Sequence, residues 1–125
     1  MKTEVNMVDI ILDFSENEQD VMKQAIAHFG AGAQFVKAGE ELAELNAEIS
    51  KNAFQRLSPL KSQVQKSNKT ELAGELADAL IMLWQVMYIE DISCEVSDLI
   101  EIKLQRLDRL LRAEAAVKDD GSNSE

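Results

Sequence analysis

Between Leu76 and Ile89 the chain is apolar on nearly every side of a helix, with Asp78 and Gln85 as its only strongly polar side chains. A helix apolar all round is one that packs inside something, so the pattern predicts a core element here. Three more helices can be read around it. Ser15 with Glu18 has the spacing of a capping box and opens a helix that ends near Gly30. Gly30 and Gly32 mark a turn, and a second helix is predicted from about Ala33 to Phe54. The apolar helix itself is predicted from about Thr70 to Ile89, with Asn68 and Glu71 as a second capping box, and the last from Ser93 to about Ala115. Ser58-Pro59 and the lysines that follow predict a loop over 57–69, while Val8 to Phe14 fits a short helix or a strand. The chain thus divides into an N-terminal segment 1–14, a helical domain 15–116 and a polar tail 117–125, expected to be disordered.

Projection at about 100° per residue gathers Gln34, Lys37, Glu41, Glu44 and Glu48 into one polar stripe on the second helix. The apolar stripe Phe35, Ala38, Leu42, Leu45 and Ile49 runs beside it, which predicts acids at the edge of the core. Glu40 falls further round toward solvent. On the third helix Glu71, Glu75, Asp78, Met82 and Gln85 align in the same way. If the two helices pack antiparallel, the two carboxylate rows face each other. On the fourth helix Val96, Ile100, Leu104, Leu107 and Leu111 form the apolar face, from which Lys103 projects, either snorkelling or meeting an anion.

With 125 residues, 46% of them hydrophobic, the chain suffices for one compact domain, and a single Pro with five Gly favours helices over strands and turns. This makes the fold class all-α. A formal net charge of −10 argues against nucleic acid and anionic membranes as partners and suits a protein that recruits cations. The lone Cys94 excludes an internal disulfide and fits a reducing compartment. The acidic N-terminus lacks the basic start of a signal peptide, so the expected location is cytoplasmic.

An acidic pair one turn apart on a helix is ordinarily solvated or held in an intrahelical ion pair. Here no Lys or Arg lies between Ala38 and Ser50, nor between Glu71 and Ile102, to partner these acids. A carboxylate in an apolar helix has to be paired, protonated or metal-bound. Oxygen ligands without His or Cys point to Mg²⁺ or Mn²⁺ and not zinc, and His28, the only histidine, reads as a helix-end residue. Trp84 and Tyr88 read by default as packing residues, with stacking of Trp84 on a nucleobase as the alternative.

The ordered pair Glu40-Glu41-Leu42-Ala43-Glu44 and Glu75-Leu76-Ala77-Asp78 resembles the EExxE and ExxD motifs of the MazG-like, all-α nucleoside triphosphate pyrophosphohydrolases. The resemblance covers roughly residues 34–106. It implies a four-to-five-helix bundle of the MazG-like type completed by oligomerisation, as a homodimer or homotetramer. The implied reaction is Mg²⁺-dependent hydrolysis of a ribo- or deoxynucleoside triphosphate to the monophosphate and pyrophosphate, with Mn²⁺ as a substitute, in cleaning or control of a nucleotide pool. By match to the motifs, Glu41, Glu44, Glu75 and Asp78 would hold metal, and Glu40 or Glu44 would orient or deprotonate the water. Lys37, Lys103 and Arg106 would contact phosphate. Phosphoribosyl-ATP pyrophosphatase and the dUTPases or dCTPases of the same superfamily remain alternatives. From another class, so does a catalytically inert helical interaction module whose acids are merely solvated.

Overall fold

The structure, a computed structural model, describes residues 13–57 and 66–123. The expectations for Val8 to Leu12 and for Ser58-Pro59 lie outside the described residues. Four helices follow one another: α1 (Glu16–Phe29), α2 (Ala31–Leu57), α3 (Lys66–Glu90) and α4 (Ser93–Asn123), and among the described residues there is no strand. The protein is an all-α helical bundle.

The helix boundaries follow from local chemistry. Ser15 Oγ accepts from the Glu18 amide at 3.1 Å and Glu18 Oε1 accepts from the Ser15 amide at 2.8 Å, the reciprocal capping box predicted for α1. Those bonds, the one from the Ser15 amide first, hold the Glu18 carboxyl below its ordinary range. At the other end Gly30 takes φ 93°, which a side chain disfavours, and its amide donates to Ile26 O at 2.8 Å. The chain turns there and α2 begins at the next residue. Asp91, at φ 54°, ends α3: its amide reaches Tyr88 O and that of Ile92 reaches Met87 O, closing the helix with a left-handed cap at a residue other than glycine.

Two boundaries differ from those read in the sequence. α3 starts at Lys66, so Asn68 sits inside its first turn and is no N-cap. α4 continues to Asn123, past the expected helix end near Ala115: alanine, glutamate and lysine between Arg112 and Lys118 extend it, and nothing in the sequence of residues 119–123 explains its last turn.

α2 and α3 form an antiparallel hairpin and the one extensive interface, and α1 lies against both. The apolar core is small: Met22 of α1 meets Trp84 of α3, with Phe14 and Met87 packed against them. α4 stands apart, and every side chain from residue 98 to 119 is exposed. The segment Lys69–Glu90 is long and apolar enough to cross a membrane by length and composition alone. In this fold it is α2's partner, and its Glu75, Asp78 and Gln85 meet that helix.

The hairpin interface corrects the expected placement of the stripes on α2. Gln34, Glu41, Glu48 and Asn52 are buried, together with Ala38, whereas Phe35, Leu42 and Ile49 are 39–47% exposed. Gln34, Glu41 and Glu48 of the polar stripe are turned into the seam with Ala38, while Lys37 and Glu44 of the polar stripe and Phe35, Leu42 and Ile49 of the apolar one face outward. Leu76 and Leu80 of α3 are exposed to the same degree, so the described residues do not enclose the apolar helix.

Candidate metal centre in the α2–α3 seam

The polar residues of the seam form layers. Gln34, Glu41 and Glu48 recur every seven residues on α2, and Glu71, Asp78 and Gln85 recur every seven on α3 in the opposite direction. A repeat of seven keeps positions on one face of a packed helix, so each residue meets its counterpart across the pair. At one end Gln34 Nε2 donates to Gln85 Oε1 at 2.6 Å. At the other, Lys51 bridges Glu48 (3.5 Å) and Glu71 (3.6 Å), and Asn52 donates to Glu48 O at 2.8 Å. Between them lies the acidic layer.

In that layer one carboxylate oxygen from each of Glu41, Glu75 and Asp78 falls within 4.8 Å of the others. Glu41 is buried, Glu75 partly buried and Asp78 exposed, so the group runs from the seam to the surface. Glu41 Oε2 and Glu75 Oε2 are buried without a hydrogen-bond partner. Such orphaned oxygens carry the full cost of lost hydration, which a cation placed among them would relieve. Burial raises the Glu75 carboxyl above its ordinary range, and the negative charges of Glu44, Asp78 and Glu41 raise it further, as does a hydrogen bond with Glu44. Glu75 therefore feels the charge of each of the other three residues expected as ligands. Around Mg²⁺, ligand oxygens at about 2.1 Å from the ion lie about 3 Å apart when adjacent and about 4 Å when opposite. The donor set fits a hard divalent ion after a small contraction of the side chains.

The absence of local cations, inferred from the stretches without Lys or Arg, does not hold at their edges. Lys37 Nζ lies 2.8 Å from Glu41 Oε1, and Lys51 serves Glu48 and Glu71. Both lysines sit just outside the windows that looked empty. The Glu41 carboxylate, above all through its hydrogen bond, holds the Lys37 ammonium above its ordinary range, with Glu40 and Glu44 contributing. Lys37 and Glu40 also line a cleft of about 420 Å³ with Phe29, Ala33, Gln34, Val36 and Met82.

The remaining predicted site residues are elsewhere. Trp84 is buried in the core and stacked on Tyr88 at 5.2 Å between ring centroids, so its default packing role is the one observed and it presents no open face for a base. Lys103 and Arg106 are exposed on the outlying α4, away from the hairpin, and among the described residues no acid pairs with Lys103. His28 closes α1, edge-on to Phe29. Sequence reasoning missed Lys51 and Asn52; the seven-residue step from Glu41 to Glu48 was the signal that the seam continues to their level. Compared with known proteins, the chain matches no family model, no curated protein and no solved structure.

Proposed function

We propose that the protein is a Mg²⁺-dependent nucleoside triphosphate pyrophosphohydrolase acting on ribo- or deoxynucleotides, and that its cytoplasmic role is to clean or control a nucleotide pool. The observation that carries this reading is the convergence of Glu41, Glu75 and Asp78 across two helices, with buried oxygens of Glu41 and Glu75 left without partners. The resemblance of their sequence context to the EExxE and ExxD motifs supplies the reaction.

Glu41, Glu44, Glu75 and Asp78 would hold the metal. Bound there, Mg²⁺ would offset the triphosphate's charge and lower the pKa of a coordinated water. Glu44, within hydrogen-bonding reach of Glu75, and Glu40, at the cleft beside Lys37, are the groups available to orient that water or accept its proton. Lys37 would meet a phosphate.

The half-exposed Phe35, Leu42, Ile49, Leu76 and Leu80 support self-association through the hairpin, as a homodimer or homotetramer. Lys103 and Arg106 would then contribute from a second copy. The rival reading, an inert interaction module, draws support from the lysines that already neutralise part of the seam. A panel of ribo- and deoxynucleoside triphosphates, with phosphoribosyl-ATP, dUTP and dCTP included, assayed with and without Mg²⁺ decides between them. Metal-dependent formation of monophosphate and pyrophosphate together is expected; release of single phosphate, or no product from any member, rejects the proposal.

A further inference from the structure

Lys37 lies four residues before Glu41 on the same face of α2, and its ammonium sits 2.8 Å from Glu41 Oε1. The other oxygen of that carboxylate, Oε2, is buried and unpartnered. Glu41 is thus half satisfied by a monovalent cation, keeps one buried oxygen without a partner, and has a carboxylate oxygen within 4.8 Å of those of Glu75 and Asp78. A dication drawn among those oxygens would stand close to the lysine, and the two positive charges would repel across a shared carboxylate. The lysine can yield. Its side chain is half exposed, an i,i+4 ion pair open to water is weak, and a flexible four-carbon stem carries the charge. The cleft it already lines, bounded by Phe29, Gln34, Glu40 and Met82, offers the ammonium space next to the carboxylates.

We propose that Lys37 is a counter-ion that is handed over: it holds Glu41 in the resting site, is displaced when a divalent metal enters, and then binds the anionic phosphate chain of the incoming ligand. This rests on the metal-site reading above and adds to it a defined order of charges. Before metal, one lysine partly offsets the carboxylates of Glu41, Glu44, Glu75 and Asp78. After metal, the dication takes over that task and the lysine's charge becomes surplus beside the site. A polyphosphate is the ligand that uses it. Metal and polyphosphate are then coupled through one side chain, each favouring the other's binding, as linkage requires.

The test measures Mn²⁺ affinity by electron paramagnetic resonance, and imidodiphosphate affinity at saturating Mn²⁺ by calorimetry corrected for chelation in solution. The wild type, Lys37→Met and Lys37→Arg are compared. The handover requires opposite changes in Lys37→Met: Mn²⁺ binding tightens and imidodiphosphate binding weakens, each by at least about fivefold, the lower end of ordinary coupling. Lys37→Arg keeps the charge and should return imidodiphosphate affinity to within about twofold of wild type, a factor small against that coupling. Tighter Mn²⁺ with unchanged imidodiphosphate makes Lys37 a bystander charge and overturns the proposal, as does unchanged Mn²⁺ affinity. Absence of saturable Mn²⁺ binding in all three proteins overturns the metal site itself, an outcome distinct from either.

Discussion

Gln34 and Gln85 join α2 to α3 through a 2.6 Å hydrogen bond between two buried carboxamides, one heptad away from the carboxylate layer on each helix. Layers spaced by seven residues on antiparallel helices lock one another's register, so this neutral pair helps to hold Glu41 opposite Glu75 and Asp78.

Breaking the pair on one side should cost more than removing it. Gln34→Leu leaves the Gln85 carboxamide buried and short of a partner, which should destabilise the fold by about 1–3 kcal/mol, whereas Gln34→Leu with Gln85→Leu should recover much of that loss. Urea unfolding of both variants checks this. A double variant no more stable than the single would show that the orphaned carboxamide costs little.

The raised pKa of Glu75 has a definite sign. A carboxyl whose pKa is higher folded than unfolded binds more protons in the folded state within that interval, so stability falls as pH rises through it. The interval begins at the ordinary glutamate value of 4.5 and extends upward. Thermal unfolding across pH, without metal, should show wild type losing stability relative to Glu75→Gln as pH is raised above 4.5. Adding Mg²⁺ at pH about 7.5, where a glutamate of ordinary pKa is fully ionised, should recover part of the loss in wild type alone, because the ion binds only the folded protein. Parallel curves for the two proteins would contradict the crowding of negative charge around Glu75.

The outward apolar stripe should behave as an interface. Leu42→Glu or Leu76→Glu places a charge where the half-exposed leucines of α2 and α3 would meet a second copy. Sedimentation velocity should find wild type as a dimer or larger and both variants shifted toward monomer. Wild type sedimenting as a monomer at every concentration would remove the case for association.

Much of the fold was legible in the sequence because local chemistry fixes it. The Ser15–Glu18 box, the turn at Gly30 and the break near Asp91 all mark true helix ends. The opposition of the two carboxylate rows was legible too, since equal steps on two helices leave few ways to pair them. Which stripe of α2 faces inward was not. Gln34, Glu41 and Glu48 share their seven-residue step with Phe35, Leu42 and Ile49, one position away, and periodicity alone cannot choose between neighbouring stripes. Ala38 of the apolar stripe is buried as expected, but Phe35, Leu42 and Ile49 are not, because the hairpin brings a polar row on α3 against Gln34, Glu41 and Glu48. The end of α4 was not legible past Ala115, because residues 119–123, two aspartates, a glycine, a serine and an asparagine, are poor helix formers through which the helix nonetheless runs.

Calorimetric titration of Mg²⁺ into wild type and Asp78→Asn decides whether Glu41, Glu75 and Asp78 form one divalent-metal site. Saturable binding to wild type is expected, with at least about tenfold weaker binding to the variant, equivalent to about 1.4 kcal/mol, and an unchanged helical circular-dichroism spectrum. Equal affinity in the two proteins, or no saturable binding to wild type, would contradict a shared site.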